Sequence, residues 1–326
     1  MDFSLCTEQK LLIDTVRRFI AEELQPLEDS VEASGELDAG LARAIHSKAK
    51  ALGLHGLNMP EEFGGGGLTN LDRILCEEQF GHTSDILIRR AFGNVYEPLL
   101  HCQGAQIERW LQPAVAGTRT CAIAITEPGA GSDAAGIKTH AKKSDVDGRE
   151  GWVLNGSKHF ISDGEWSDFF LVSAKTSEKE ISIFMIDKGL PGFSVGKDQK
   201  MMGIRGTPHV ELFFDNVVLE PVALLGEEGQ GFKLAMGALN VVRLAQVGAR
   251  EQIAMVKVHA AETLGRVVDR AVQLFGGMGF CKELPIERYY RDARIYRIFD
   301  GTSEIHRTVI AKSVMRKGAA LFAVHR

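Results

Sequence analysis

Between about Thr118 and Gly226 the chain carries short β-branched and aromatic runs with no helix-length segment between them. Cys121–Ile125, Trp152–Leu154, His159–Ile161, Phe169–Val172, Ile181–Ile186 and Val210–Phe214 are separated by turn residues. Successive strands without crossover helices predict an antiparallel sheet or small barrel and disfavour a Rossmann fold. Asn155-Gly156 carries a strong hairpin-turn signal. On both flanks the texture is helical. Leu12, Val16, Phe19 and Ile20 recur at helical spacing, and similar patterns cover about 39–53, 71–80 and 105–116. Met59 to Gly67, with its proline and glycine run, breaks the helical pattern and reads as a flexible loop. Beyond Gly231 the chain is helical again. At 326 residues it exceeds one ordinary core. The expected order is an N-terminal α-helical domain (1–118), a middle antiparallel β-barrel or sandwich domain (119–226) and a C-terminal α-helical bundle (227–326).

A net charge of -5, with no clustered Lys/Arg run, gives no reason to expect nucleic acid or an anionic membrane as partner. No apolar run reaches membrane-spanning length, and Met1-Asp-Phe-Ser does not open a targeting segment, so a cytoplasmic protein is expected. Cys6, Cys76, Cys102, Cys121 and Cys281 are scattered without metal-ligand spacing. They read as reduced, mostly buried small hydrophobes, and no metal site is expected.

Chemistry concentrates in a few stretches. From Glu287 to Arg297 charges and aromatics are too dense for a purely solvated helix, and Asp300-Gly-Thr-Ser follows. Gly301 allows a sharp turn, and Thr302 or Ser303 can cap a new helix. A carboxylate, a glycine and a helix N-terminus suit either a base beside an anionic cofactor or an ordinary capped corner. Thr126-Glu-Pro-Gly-Ala-Gly-Ser-Asp133 follows a strand, and its bare backbone can approach a flat ring or a phosphate. It is neither a dinucleotide fingerprint nor a P-loop, and a tight turn is the plain alternative. Lys158-His-Phe-Ile-Ser-Asp-Gly164 reads by pattern as a buried strand end. Gln273-Leu-Phe-Gly-Gly-Met-Gly-Phe280 closes an amphipathic helix, with Gly276 and Gly277 as terminators.

Together these stretches resemble the acyl-CoA dehydrogenase family. The family's "TEPGAGSD", "K-x-aromatic-I-T/S-x-G", "Q-x-x-GG-x-G" and "YRDAR" leading to "carboxylate-Gly-Thr-Ser" all have counterparts, as does its "PEE-aromatic-GG" loop. The resemblance covers nearly the whole chain. It implies an acyl-CoA dehydrogenase-like fold and FAD-dependent α,β-dehydrogenation of an acyl-CoA thioester to the trans-2-enoyl-CoA. Asp300 would be the base, where many members carry glutamate. Ile123, Ile125, Thr126, Gly131 and Ser132 would line the flavin, with Ser132 also near coenzyme A. Phe160, Ile161 and Ser162 would pack on the isoalloxazine. Gln273, Phe275, Gly276 and Gly277 would contact FAD across a subunit interface, which implies a homodimer or homotetramer. Thr302, Ser303 and Glu304 would also touch the cofactor, and Gly301 and Arg243 the substrate. Arg205 reads as structural. Electron-transfer flavoprotein is the acceptor usual in the family.

The chain departs from the family pattern after about Arg250. Val247-Gly-Ala-Arg250 runs directly into a segment that resembles a much later part of the family. A helical hairpin of roughly 50 residues is missing, at ~25 residues per helix. A bundle without it would expose apolar faces.

Two other readings remain open on the same fold. A nitroalkane-oxidase-like flavin oxidase would also use an aspartate, and a non-catalytic, flavin-bearing DNA-associated relative would need a basic surface.

Overall fold

The computed structural model describes residues 4–241 and 250–318. The chain divides into two compact units, Met1–Lys200 with Arg205–Ala238, and Met201–Ile204 with Leu239–Arg326.

The first unit opens with helices α1 (Thr7–Phe19), α2 (Glu28–Ser34), α3 (Ala39–Ala51), α4 (Asn70–Phe80) and α5 (Asp85–Phe92). Ile13, Val16 and Phe19 form the buried stripe of α1 that their spacing predicts. α3 starts where the Asp38 carboxylate accepts the Gly40 and Leu41 amides, and Thr69 caps α4 through Asp72 N. The helices close on a core that includes Phe19, Leu24, Ile45, Ile86 and Phe92. The loop after Met59 is packed rather than loose. Met59 is fully buried, and a Cβ on Gly65 would sit 2.2 Å from its carbonyl oxygen, so the glycine allows a close approach. Beyond it, α6 (Gln112–Val115) precedes the sheet.

The sheet contains β1 (Cys121–Ala124), β2 (His140–Val146), β3 (Arg149–Ser162), β4 (Phe169–Lys175), β5 (Ile181–Asp187), β6 (Phe193–Asp198), β7 (His209–Leu219) and β8 (Leu224–Leu225). Its order is β6-β7-β3-β2-β4-β5-β8, with β1 on β4. Pairing is antiparallel except for β1 with β4 and one residue pair between β2 and β4, so the sheet is mixed. β4 and β5 are buried on both faces, which is why they read as unbroken apolar runs. Phe170 and Val172 join Trp152 and Phe214 on one side; Phe169 and Leu171 join Leu99 and Trp110 on the other.

The hairpin signal at Asn155-Gly156 is overturned. Both residues lie inside β3, where the register against β7 shifts between Leu154 and Gly156. Asn155 Oδ1 accepts Asn216 N across the sheet at 2.9 Å, and Gly156 lets Thr139 approach its bare Cα. The turn between β2 and β3 is instead Asp147-Gly148, with φ of 53° and 77°, the positive pair that a type I′ hairpin requires. Gly148→Ala should therefore lower stability by about 1 kcal/mol, read as a shift in urea midpoint at constant slope. Gly35→Ala, at a helix end, provides an independent positive-φ control of similar expected size.

After α7 (Gly231–Val241), the second unit is built on α8 (Arg250–Phe275), which ends at Gly276 with φ 57°. α9 (Gly277–Phe280), α10 (Ile286–Ala293) and α11 (Ser303–Lys317) follow, and α10 and α11 both pack on α8. In the single chain Val256, Val267, Leu274 and Phe275 of α8 are exposed. Arg243 and the junction at 247–249 lie outside the described residues. Among the described residues no helix is long and apolar enough to cross a membrane, and no His/Cys/Asp/Glu group could hold a metal ion. Cys76, Cys102 and Cys121 are buried, whereas Cys6 and Cys281 are exposed; all five are free.

Candidate functional site

In the first unit, β1 delivers the chain into the Thr126–Asp133 loop. Glu127 and Ala130 exchange backbone hydrogen bonds (3.2 and 3.1 Å) around Pro128-Gly129, which gives a tight turn. Gly129, Gly131 and Ser132 are exposed, and a Cβ added to either glycine would meet nothing within 4 Å. Ile123 and Ile125 are half-buried against the core around Trp110 and Phe169. Thr126 contributes its carbonyl to His159 N at 2.8 Å, which joins the loop to β3.

That bond falls at a second irregularity in β3. The register against β7 shifts between Lys158 and Ile161, and Phe160 adopts φ 56°. An aromatic residue in the left-handed region is strained, and bulges of this kind re-aim a side chain. Phe160 is turned out of the sheet and is 53% exposed. Ile161 points the other way, into the sheet core, so only its backbone is available to a ligand. Ser162 is half-buried at the strand end.

Buried charge braces both sides of the bulge. Asp163, also at positive φ (62°), accepts from Arg89 Nη1 (2.9 Å), Arg90 Nη1 (2.8 Å) and Asn94 Nδ2 (3.1 Å). Burial pushes the Asp163 carboxyl up, but the two guanidiniums outweigh it and hold it below the ordinary carboxylate range. Arg90 also lies over the Trp166 ring at 4.6 Å. On the other side Lys158, fully buried, donates to Glu127. None of these supporting residues was singled out from sequence. Glu127, Lys158 and Asp163 sit inside motifs that were, but their partners α5 and the 138–139 segment are remote in sequence. Arg205 behaves as expected, reaching Glu32 O at 3.1 Å on α2.

In the second unit, Asp300 and Gly301 form the turn between α10 and α11, with φ of 52° and 85°. Lys257 of α8 holds that turn by donating to the carbonyls of Tyr296, Phe299 (3.2 Å) and Gly301 (3.1 Å). Nε2 of buried His306 lies 3.2 Å from the Asp300 carbonyl oxygen, and a Cβ on Gly301 would come within 2.9 Å of the same nitrogen. Asp300 is exposed. Thr302 caps α11, accepting from Ile305 N at 3.2 Å. Ser303 is fully buried, whereas Glu304 is exposed and paired with Arg307 at 3.2 Å. Upstream, the YRDAR segment is tied both to its own helix and to the remote residue Ile204. Arg291 pairs with Glu287 at 2.7 Å, and Asp292 Oδ1 accepts Ile204 N at 2.6 Å. Gln273, Phe275, Gly276 and Gly277 are all exposed at the end of α8. Lys257 had no sequence signal, because its partners are carbonyl oxygens and any residue supplies those.

Residues 7–118, 122–217 and 244–315 match the N-terminal, middle and C-terminal domains of acyl-CoA dehydrogenase in turn. The chain is 32% identical over 391 aligned positions to acryloyl-CoA reductase (NADH) of Anaerotignum propionicum, with 97% of each chain covered. That alignment is longer than the 326-residue chain, so the relative has residues at positions where this chain has none. Butyryl-CoA dehydrogenase from Megasphaera elsdenii superposes with a TM-score of 0.86 at 29% identity, over 97% of this chain and all (100%) of that one. An acyl-CoA dehydrogenase complexed with FAD from Bacillus anthracis does so at 0.84 and 27% identity, covering 96% of this chain and 68% of that one. The chain belongs to the acyl-CoA dehydrogenase family. It is an oxidoreductase.

Proposed function

We propose that the protein binds FAD and catalyses α,β-dehydrogenation of an acyl-CoA thioester to the trans-2-enoyl-CoA, with Asp300 as the base. The observation that carries the reading is the strained, outward-facing Phe160 bulge bonded to the exposed glycines' loop. Open space beside Gly129 and Gly131 and a bare aromatic face fit a flat, partly apolar ring. Thr126, Gly131, Ser132, Phe160, the Ile161 backbone and Ser162 would contact it, with Ile123 and Ile125 beneath. Gln273, Phe275, Gly276, Gly277, Thr302 and Glu304 are the second unit's candidates, Gln273 to Gly277 acting in a second copy of the chain. Ser303 supports the turn from inside, since its side chain is buried.

When bound, FAD supplies the acceptor for the β-hydride. The Asp300 carboxylate takes the α-proton, and the backbone N–H of that turn, with Gly301 at the substrate, polarises the thioester oxygen. Lys257 and His306 keep the turn in its positive-φ form, so the carboxylate does not have to be reorganised during reaction. Arg243 is assigned to the substrate side. The reductase name of one relative suggests that the same groups serve either direction, since a base that removes the α-proton also returns it. Electron-transfer flavoprotein as acceptor, a homo-oligomeric state, a cytoplasmic location and absence of a hairpin after about Arg250 belong to the same reading.

The test is the visible spectrum of the purified protein with FAD, before and after anaerobic addition of an acyl-CoA panel. A flavin spectrum bleached by one thioester supports the dehydrogenase and identifies its chain length. The shorter base favours a second reading, an oxidase for an acidic carbon such as that of a nitroalkane. Oxygen consumption with hydrogen peroxide release, and no bleaching by thioesters, would replace the first reading with that one.

A further inference from the structure

Lys158 is fully buried, and an ammonium that deep is costly unless it is paired. Its Nζ donates to Glu127 Oε1 at 2.8 Å and to the Ile125 carbonyl at 3.0 Å. The other side of Glu127 is equally engaged: Oε2 accepts Lys138 N at 2.6 Å, and Oε1 accepts Thr139 N at 3.0 Å. One carboxylate and one ammonium thus tie together the end of β1, the first turn of the glycine loop, the returning segment before β2, and β3. Lys158 lies immediately before His159, whose amide holds Thr126, and two residues before Phe160.

A pair that only added stability would be an odd choice here. Buried ion pairs are often matched or bettered by apolar residues of similar volume. What apolar residues cannot supply is direction. The carboxylate accepts two successive amides and so sets where the loop returns, and the ammonium sets where the loop begins.

We infer that the Lys158–Glu127 pair is a positioning device for the flavin, closing both ends of the Glu127–Thr139 loop against the Phe160 bulge. The loop and the exposed aromatic then keep one spacing, as binding of a flat ring against both requires. This rests on the FAD reading above. Both residues act through the loop and are not placed against substrate or cofactor.

The pair carries a readable signature. Burial pulls the Lys158 ammonium down to about 8, against the upward pull of Glu127. Glu127 is the ionised group acting on it among the described residues, while burial raises and Lys158 lowers the Glu127 carboxyl, the net direction being down. As pH rises through 8 the ammonium becomes an amine and the loop loses its cation. FAD affinity should fall over that interval. Stability should not fall with it from this group, because a lysine with a depressed folded value is neutral in the fold while still protonated in the unfolded chain.

The experiment measures FAD affinity by flavin fluorescence from pH 7 to 9, with apoprotein melting followed in parallel. Wild type is compared with the Lys158→Met/Glu127→Gln double variant, which removes both charges and leaves no buried ion unpaired. Loss of two charge-assisted bonds should weaken FAD by roughly 10- to 100-fold, with a pH profile that has become flat and melting little changed. Should the double variant not fold, Glu127→Asp keeps both charges, draws the carboxylate back by about 1.5 Å and should weaken FAD at intact melting temperature. Wild-type affinity and pH profile in the folded variant would overturn the positioning role alone. A wild-type protein that takes up no FAD would overturn the proposed function and this role together.

Discussion

Asp300→Asn should reduce the rate at which an acyl-CoA bleaches the bound flavin by roughly 10²- to 10⁴-fold, the range a positioned general base supplies. FAD loading and melting temperature should hold, because the Asp300 side chain is exposed and the turn is fixed through carbonyl oxygens instead. Asparagine also tolerates positive φ, so the 52° at this position is no obstacle to folding. Rapid-mixing spectroscopy under anaerobic conditions separates the proton-abstraction step from reoxidation. Bleaching at the wild-type rate in this variant would move the base to another residue. Asp300→Glu tests reach: one further methylene advances the carboxylate by about 1.5 Å. A gain would indicate a thioester substrate placed for a longer carboxylate, and a loss a site built around the shorter side chain.

The second large effect is on the fold. Asp163→Ala should destabilise the protein by about 3–5 kcal/mol, since it strands the buried Arg90 guanidinium, whereas Arg89 keeps its pair with Asp85 at 2.6 Å. Arg90→Met should cost a similar amount, because Arg90 is 6% exposed in its side chain and its loss leaves the carboxylate with Arg89 and Asn94 alone. Urea unfolding at neutral pH measures both. The pH dependence supplies the sign. Asp163 titrates below its ordinary 3.8, so its contribution is complete above that value and is lost as pH falls through the lower, folded one. Wild type should therefore lose stability on acidification below about pH 4, and Asp163→Asn should lose less over the same interval. A parallel acid profile in both proteins would mean that the Arg89–Arg90–Asp163 cluster is not what ties α5 to the strand end.

Much of the architecture was legible because it depends on local rules. The helical spacing of Val16, Phe19 and Ile20, and short apolar runs bounded by turns such as Phe169–Val172, are read without help from distant neighbours. The Asp300 turn was equally readable, since Gly301 and a capping Thr302 determine it within a few residues. Asn155-Gly156 shows where such rules fail. The dipeptide suits a hairpin, yet Asn216 satisfies the asparagine from β7 and Thr139 approaches the bare glycine, while the turn forms at Asp147-Gly148. Two dipeptides compete, and pairing with β7 decides between them.

The amino-acid order alone determined the α–β–α progression, the glycine loop, the capped Asp300 turn and the family to which the chain belongs. Only the tertiary structure decided that Phe160 faces outward while Ile161 faces the core, that Lys158 is an ion buried beside Glu127, and that Lys257 holds the Asp300 turn. The reason is one of range. Caps, turns and hydrophobic periods are set by residues a few positions apart. The partner of a buried charge, and the register shift that turns a side chain out of a sheet, depend on strands and helices that meet only when the chain is folded.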